Sequence, residues 1–202
     1  MPANGKISHF ASWFAAVNSF PDRDLKEKIT FEFLTRCPVN GLISTVMAGR
    51  QYTIAINLAP ERLLYAGPVI PGAWNHLRDE EEAGMLGGEI LIDTGAFGAM
   101  IDVEVAERLR LPIRGTKEIH GIHGYGTVSC YQAKLILPAK DSTGKDLPFI
   151  KTIECIGVPS LTEKNREHGV DVIGIIGREF LQNVRLEIDG ATGQLKLLVN
   201  DR

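Results

Sequence analysis

Apolar residues recur in the N-terminal part of the chain at helical spacing. Phe10, Trp13, Phe14 and Val17 fall at i, i+3, i+4 and i+7, one face of a short helix that Pro21 ends. Residues 22 to 35 fit a second helix with Leu25, Ile29 and Leu34 inward, yet "ITFEF" at 29 to 33 alternates as a strand does, and both readings stand. Pro38, Asn40 and Gly41 mark a turn after this partly helical extension. The chain thus divides into an N-terminal extension, residues 1–45, and a main domain, residues 46–202. Trp13 and Phe14 read as packing residues and not as a recognition surface.

Beyond residue 46 the pattern changes to strands. "YTIAINL" at 52 to 58 alternates and is β-branched. An irregular stretch with Pro60, Pro68, Pro71 and Gly72 leads to the acidic run "RDEEE" at 78 to 82, read as a solvated face. "GEILID" lacks polar alternation, the mark of a strand buried on both faces. "VEVAERLRL" at 103 to 111 predicts the one helix of this half, stopped by Pro112. The strands "EIHGIHGYGTVSCYQAKLIL", "PFIKTIECIGV" and "VDVIGIIG" follow, and "VRLEIDGATGQLKLLV" predicts a hairpin turning around Asp189 to Gly193. Many short strands and few helical turns imply an all-β fold, closed or sandwiched.

Composition narrows the function. Twenty-two Lys and Arg against 25 Asp and Glu give a net charge of −3, which argues against a nucleic-acid partner. No window approaches a membrane span, and the N-terminal apolar stretch, interrupted by His9 and Ser12, lacks the form of a signal peptide. Cys37, Cys130 and Cys155 are odd in number and widely spaced, so neither a disulfide framework nor a zinc site is suggested. The expectation is a cytoplasmic protein with no membrane partner.

The chemistry concentrates in "EILIDTGAFGAMID", residues 89 to 102. An apolar run ends on the carboxylate of Asp93, which must be paired, hydrogen-bonded or protonated if it is buried. Gly95 permits a tight turn that brings backbone N–H groups to that carboxylate, and Thr94 offers a hydroxyl able to bond to a neighbouring chain. Asp-Thr-Gly alone is a weak signal and also fits a structural aspartate at a turn. Here it is followed by "MID", an amphipathic helix, and, some 80 residues later, by "VIGIIGREFL".

This constellation resembles the retropepsin-like (retroviral-type) aspartic proteases in their stand-alone bacterial form, over roughly residues 50 to 200. The resemblance implies a closed β-barrel with one short helix. It implies that Asp93 is catalytic, that the Thr94 hydroxyl interlocks two active-site loops, and that Gly95 shapes the loop. It places Ala96 in the substrate cleft and makes "GIHGYGTVS" a flap, with Ile122, His123 and Gly124 binding substrate. The chain departs from the viral pattern at Phe97, where an acid would pair with the arginine of the second motif, here Arg178; Asp102 is a candidate substitute.

The implied hydrolysis needs two carboxylates that share one proton, because two like charges in close contact cannot both ionise. No other Asp-Thr-Gly or Asp-Ser-Gly occurs, so the second Asp93 is expected from a second chain across a two-fold axis. The expected protein is a homodimeric aspartic endopeptidase with no cofactor and no metal, acting on peptide or protein substrates on the acidic side of neutral. A catalytically silent module for dimerisation or peptide binding is the alternative. The His120–His123 pair lacks an evident third metal ligand, Cys130 and Cys155 lack a Cys-His setting, and the glycine clusters lack the spacing of a phosphate loop. Ile92, Ala96, Ile122 and Ile175 are expected to line apolar subsites. Residues 1–45 could brace the dimer, dock a partner or occupy the cleft.

Overall fold

The computed structural model describes residues 50–77, 84–121, 124–166 and 169–201. The expectations for the N-terminal extension and for "RDEEE" fall outside these residues. Eleven strands are described: β1 (Arg50–Asn57), β2 (Val69–Asn75), β3 (Met85–Ile92), β4 (Ala99–Asp102), β5 (Ile113–Gly121), β6 (Gly124–Leu137), β7 (Lys140–Asp141), β8 (Phe149–Val158), β9 (Val172–Ile176), β10 (Val184–Asp189) and β11 (Gln194–Asp201). One sheet runs β2-β3-β9-β4-β8-β6-β5, and a further pairing of β2 with β6 closes six of its strands into a barrel. The closure is short, joining Ala73, Trp74 and Asn75 to Ile136, Leu135 and Lys134. The all-β closed barrel expected from the sequence is therefore the fold. A second sheet, β10-β11-β1-β7, packs against it and contains the C-terminal hairpin, which closes at Asp189 and Gln194.

Four short helices are described where the sequence pattern predicted one: α1 (Pro60–Ala66), α2 (Val103–Arg108), α3 (Leu161–Arg166) and α4 (Arg178–Leu181). Helix α1 buries none of its residues, so it shows no amphipathic stripe to read. It meets the barrel through an ion pair from Arg62 to Glu89 on β3 and through the half-buried Ala66. Helix α2 stops at Arg108, short of Pro112, because Arg110 turns into the left-handed region at φ 51°. None of the helices among the described residues is long and apolar enough to cross a membrane.

One core joins both sheets. Ile54 of β1 and Leu195 and Leu197 of β11 pack with Trp74, Ile90, Ile101 and Leu135 of the barrel. An aromatic chain bridges the layers: Phe149 of β8 meets Tyr52 edge-on at 5.3 Å and Phe180 of α4 at 6.0 Å. Beside it a second apolar cluster holds Val69, Ala96, Val172 and Ile175. It supports the loop that follows β3 from below.

Candidate active site

Strand β3 lies parallel to β9, pairing Leu91 with Ile175 and Ile92 with Ile176, and both strands end at the same edge of the barrel. The chain leaves β3 at Asp93. The Asp93 N–H donates to the carbonyl of Ile176 at 3.1 Å, which fixes the first residue of the loop to the end of β9. Two further bonds fix the rest: Arg178 N–H donates to the carbonyl of Ala96 at 2.9 Å, and Glu179 N–H to that of Phe97 at 2.8 Å. Loop 93–98 is thus held along its length by the first turn of α4.

Gly177 makes this contact possible. A Cβ there would stand 2.6 Å from the carbonyl oxygens of both Ala96 and Gly98, a separation that real Cβ atoms do not adopt. The glycine ending "VIGIIG" therefore lets two backbones touch, a requirement the motif carries without stating its cause. Asp93 itself is half-buried and Thr94 and Gly95 are exposed. One carboxylate oxygen, Oδ1, accepts from the N–H of Gly95 at 2.7 Å. A Cβ on residue 95 would sit 3.1 Å from that same oxygen, so a side chain would crowd the carboxylate.

Asp93, Thr94, Gly95 and Ala96 are brought together in this loop. Ala96, expected on a cleft, has its side chain turned into the second apolar cluster. Ile92 and Ile175, expected as apolar lining, are likewise packed in the two cores of the single chain. Gly124 opens β6 opposite Gly121, the last described pair of the long β5–β6 ladder. Ile122 and His123 lie outside the described residues, as does His168. His120 is placed on β5, paired with Tyr125.

Asp102 does not substitute as the partner of Arg178. It is 1% exposed, and its two oxygens are already used. Oδ1 caps α2 by accepting from Glu104 N–H at 2.8 Å, and Oδ2 accepts from Thr162 N–H at 2.7 Å in the first turn of α3. Arg178 instead lines an open depression with Phe97, Glu179 and Gln182, beside the Asp93 loop.

The cysteines offer no competing nucleophile among the described residues. Cys130 and Cys155 are both buried. Burial, with smaller contributions from Cys130 and Glu154, pushes the Cys155 thiol up to about 12. They sit diagonally on β6 and β8, where Cys130 pairs with Ile156 and Tyr131 with Cys155, so their side chains point to opposite faces.

No protein-family model matches the chain. No curated protein matches it either. Among solved structures, the EIAV protease complexed with the inhibitor HBY-793 is similar at 17% identity, covering 57% of this chain and 85% of its own, with a TM-score of 0.30. A likeness of that size assigns no residue a role.

Proposed function

We propose that this protein is an aspartic endopeptidase in which two copies of the chain each supply one Asp93. The observation that supports this reading is the placement of Asp93. Its backbone is tied to β9 and its carboxylate stands half-open at the barrel edge, held by the Gly95 N–H and, among the described residues, by no cation. A structural aspartate is expected to bury both oxygens against donors, whereas one oxygen here has no partner among the described residues.

Across a two-fold axis the two carboxylates share a single proton. The ionised member takes a proton from a water molecule as its oxygen attacks the peptide carbonyl carbon. The protonated member gives its proton to the carbonyl oxygen, producing a tetrahedral diol. Collapse of the diol moves a proton to the leaving nitrogen and breaks the C–N bond. Thr94, exposed beside the carboxylate, is assigned to the contact between the two loops, and Gly95 to keeping the carboxylate uncrowded. Strands β5 and β6 are assigned to covering bound peptide, and Ile122, His123 and Gly124 to contacting it.

The test is cleavage of a mixed peptide library between pH 4 and 7 by the parent and by Asp93→Asn, with the mass of both in solution. Cleavage should fall by at least about 1000-fold in the variant while its dimer persists. Equal cleavage by parent and variant would sink the reading.

A further inference from the structure

Phe97 is 74% exposed, although it lies in the loop that begins with Asp93. A lone exposed phenylalanine is ordinary on a protein surface. What sets this one apart is where it stands and how firmly it is held. Its carbonyl accepts from Glu179 N–H at 2.8 Å, which fixes the backbone that carries the ring. With Arg178, Glu179 and Gln182 it lines an open depression of about 600 Å³. One face of the chain therefore carries both a projecting aromatic ring and a hollow bordered by a guanidinium.

Phe97 stands four positions after Asp93, and a fully extended chain of that length spans about 14 Å. A two-fold axis that brings the two Asp93 carboxylates together therefore leaves each Phe97 within reach of the same seam. We propose that each Phe97 seats in the depression of the other copy, its ring against the Arg178 guanidinium, and so clamps the two Asp93 loops face to face. This rests on the paired-aspartate reading above.

The arrangement is self-complementary, as a two-fold interface requires: the same contact is made twice. Ring and guanidinium attract through the negative face of the ring, and aromatic and arginine side chains concentrate at the centres of such interfaces.

The experiment is sedimentation of the full chain over a range of concentrations, with peptide cleavage and thermal melting on the same samples. The proteins are the parent, Phe97→Asp, Arg178→Ala and the double variant. Phe97→Asp should weaken the dimer by about 100-fold and Arg178→Ala by about 10-fold, with less than the combined loss in the double variant. Melting should be unchanged at concentrations where all are monomers, and cleavage by Phe97→Asp should recover as protein concentration rises. A Phe97→Asp dimer within two-fold of the parent overturns the proposal. So does an unchanged dimer with a raised KM, which would make the ring part of the peptide groove. In both cases the paired-aspartate reading survives if Asp93→Asn still abolishes cleavage. A dimer that depends on Phe97 while Asp93→Asn cleaves normally leaves the clamp standing and removes the catalytic reading. A monomeric parent removes both.

Discussion

Two aspartates end two apolar strands of this barrel, and they meet opposite fates. Asp102 follows "AMI" and is sealed in, each oxygen receiving a backbone N–H from the start of a different helix. Asp93 follows "ILI" and stays half-open, with one short-range bond from Gly95. In sequence the two look alike, an acid closing a hydrophobic run. Their difference lies in what arrives from elsewhere: Thr162 reaches Asp102, whereas Asp93 is approached by the carbonyl side of β9. A carboxylate with both oxygens satisfied holds a fold together, and one with an oxygen to spare can take part in a reaction.

The same substitution at both positions is the strongest way to break this contrast. Asp102→Asn replaces one accepting oxygen by a donor facing a buried N–H and should cost about 2 kcal/mol in denaturant unfolding. It should leave cleavage per folded molecule near the parent value. Asp93→Asn should alter stability by less than about 0.5 kcal/mol. An Asp102 variant that unfolds like the parent, or an Asp93 variant that is markedly destabilised, would reverse the assignment of roles.

A second comparison sharpens the role of the clamp under Asp93. Gly177→Ala drives a methyl group into the carbonyls of Ala96 and Gly98 and should destabilise the chain by about 2 to 3 kcal/mol. Gly126→Ala, with open space around its position in β6, serves as the control and should lie within about 1 kcal/mol of the parent. Equal melting of the two variants would show that loop 93–98 is not held as tightly as its hydrogen bonds indicate.

The smallest effect is expected at Asp141, a half-buried aspartate that ends β7. Hydrogen bonds from the Thr143 hydroxyl and from the backbone N–H groups of Thr143 and Lys145 hold its carboxyl below the ordinary 3.8. Because its pKa is lower folded than unfolded, its contribution is complete above pH 3.8 and is lost as pH falls through the depressed value. The melting temperatures of parent and Asp141→Asn should therefore differ slightly at pH 6 and converge near pH 2. A gap that widens on acidification would contradict that sign.

Legibility in the sequence followed burial. β1, the end of β3, β9 and the C-terminal hairpin were readable because their apolar runs or turn residues are local signals. β2 was hidden by Pro71, which pairs with Glu89 of β3 but precedes the stretch joined to β6, so the ladder loses no bond on that side. α1 was hidden because nothing in it is buried. At the site, Asp-Thr-Gly was visible as a string. The engagement of Asp102 was not, since it depends on Thr162, which only the folded barrel brings near. The exposure of Phe97 was equally a property of packing, and its sequence neighbours gave no warning of it.

The bond from Asp93 N–H to Ile176 has a consequence in time. Strand β9 and the turn after it are synthesised well after Asp93. Contacts between such distant segments form late and slowly. A nascent chain halted before residue 172 carries the aspartate but lacks the Ile176 carbonyl that fixes its backbone. The Asp93 loop gains its anchor only once β9 and the first turn of α4 have left the ribosome.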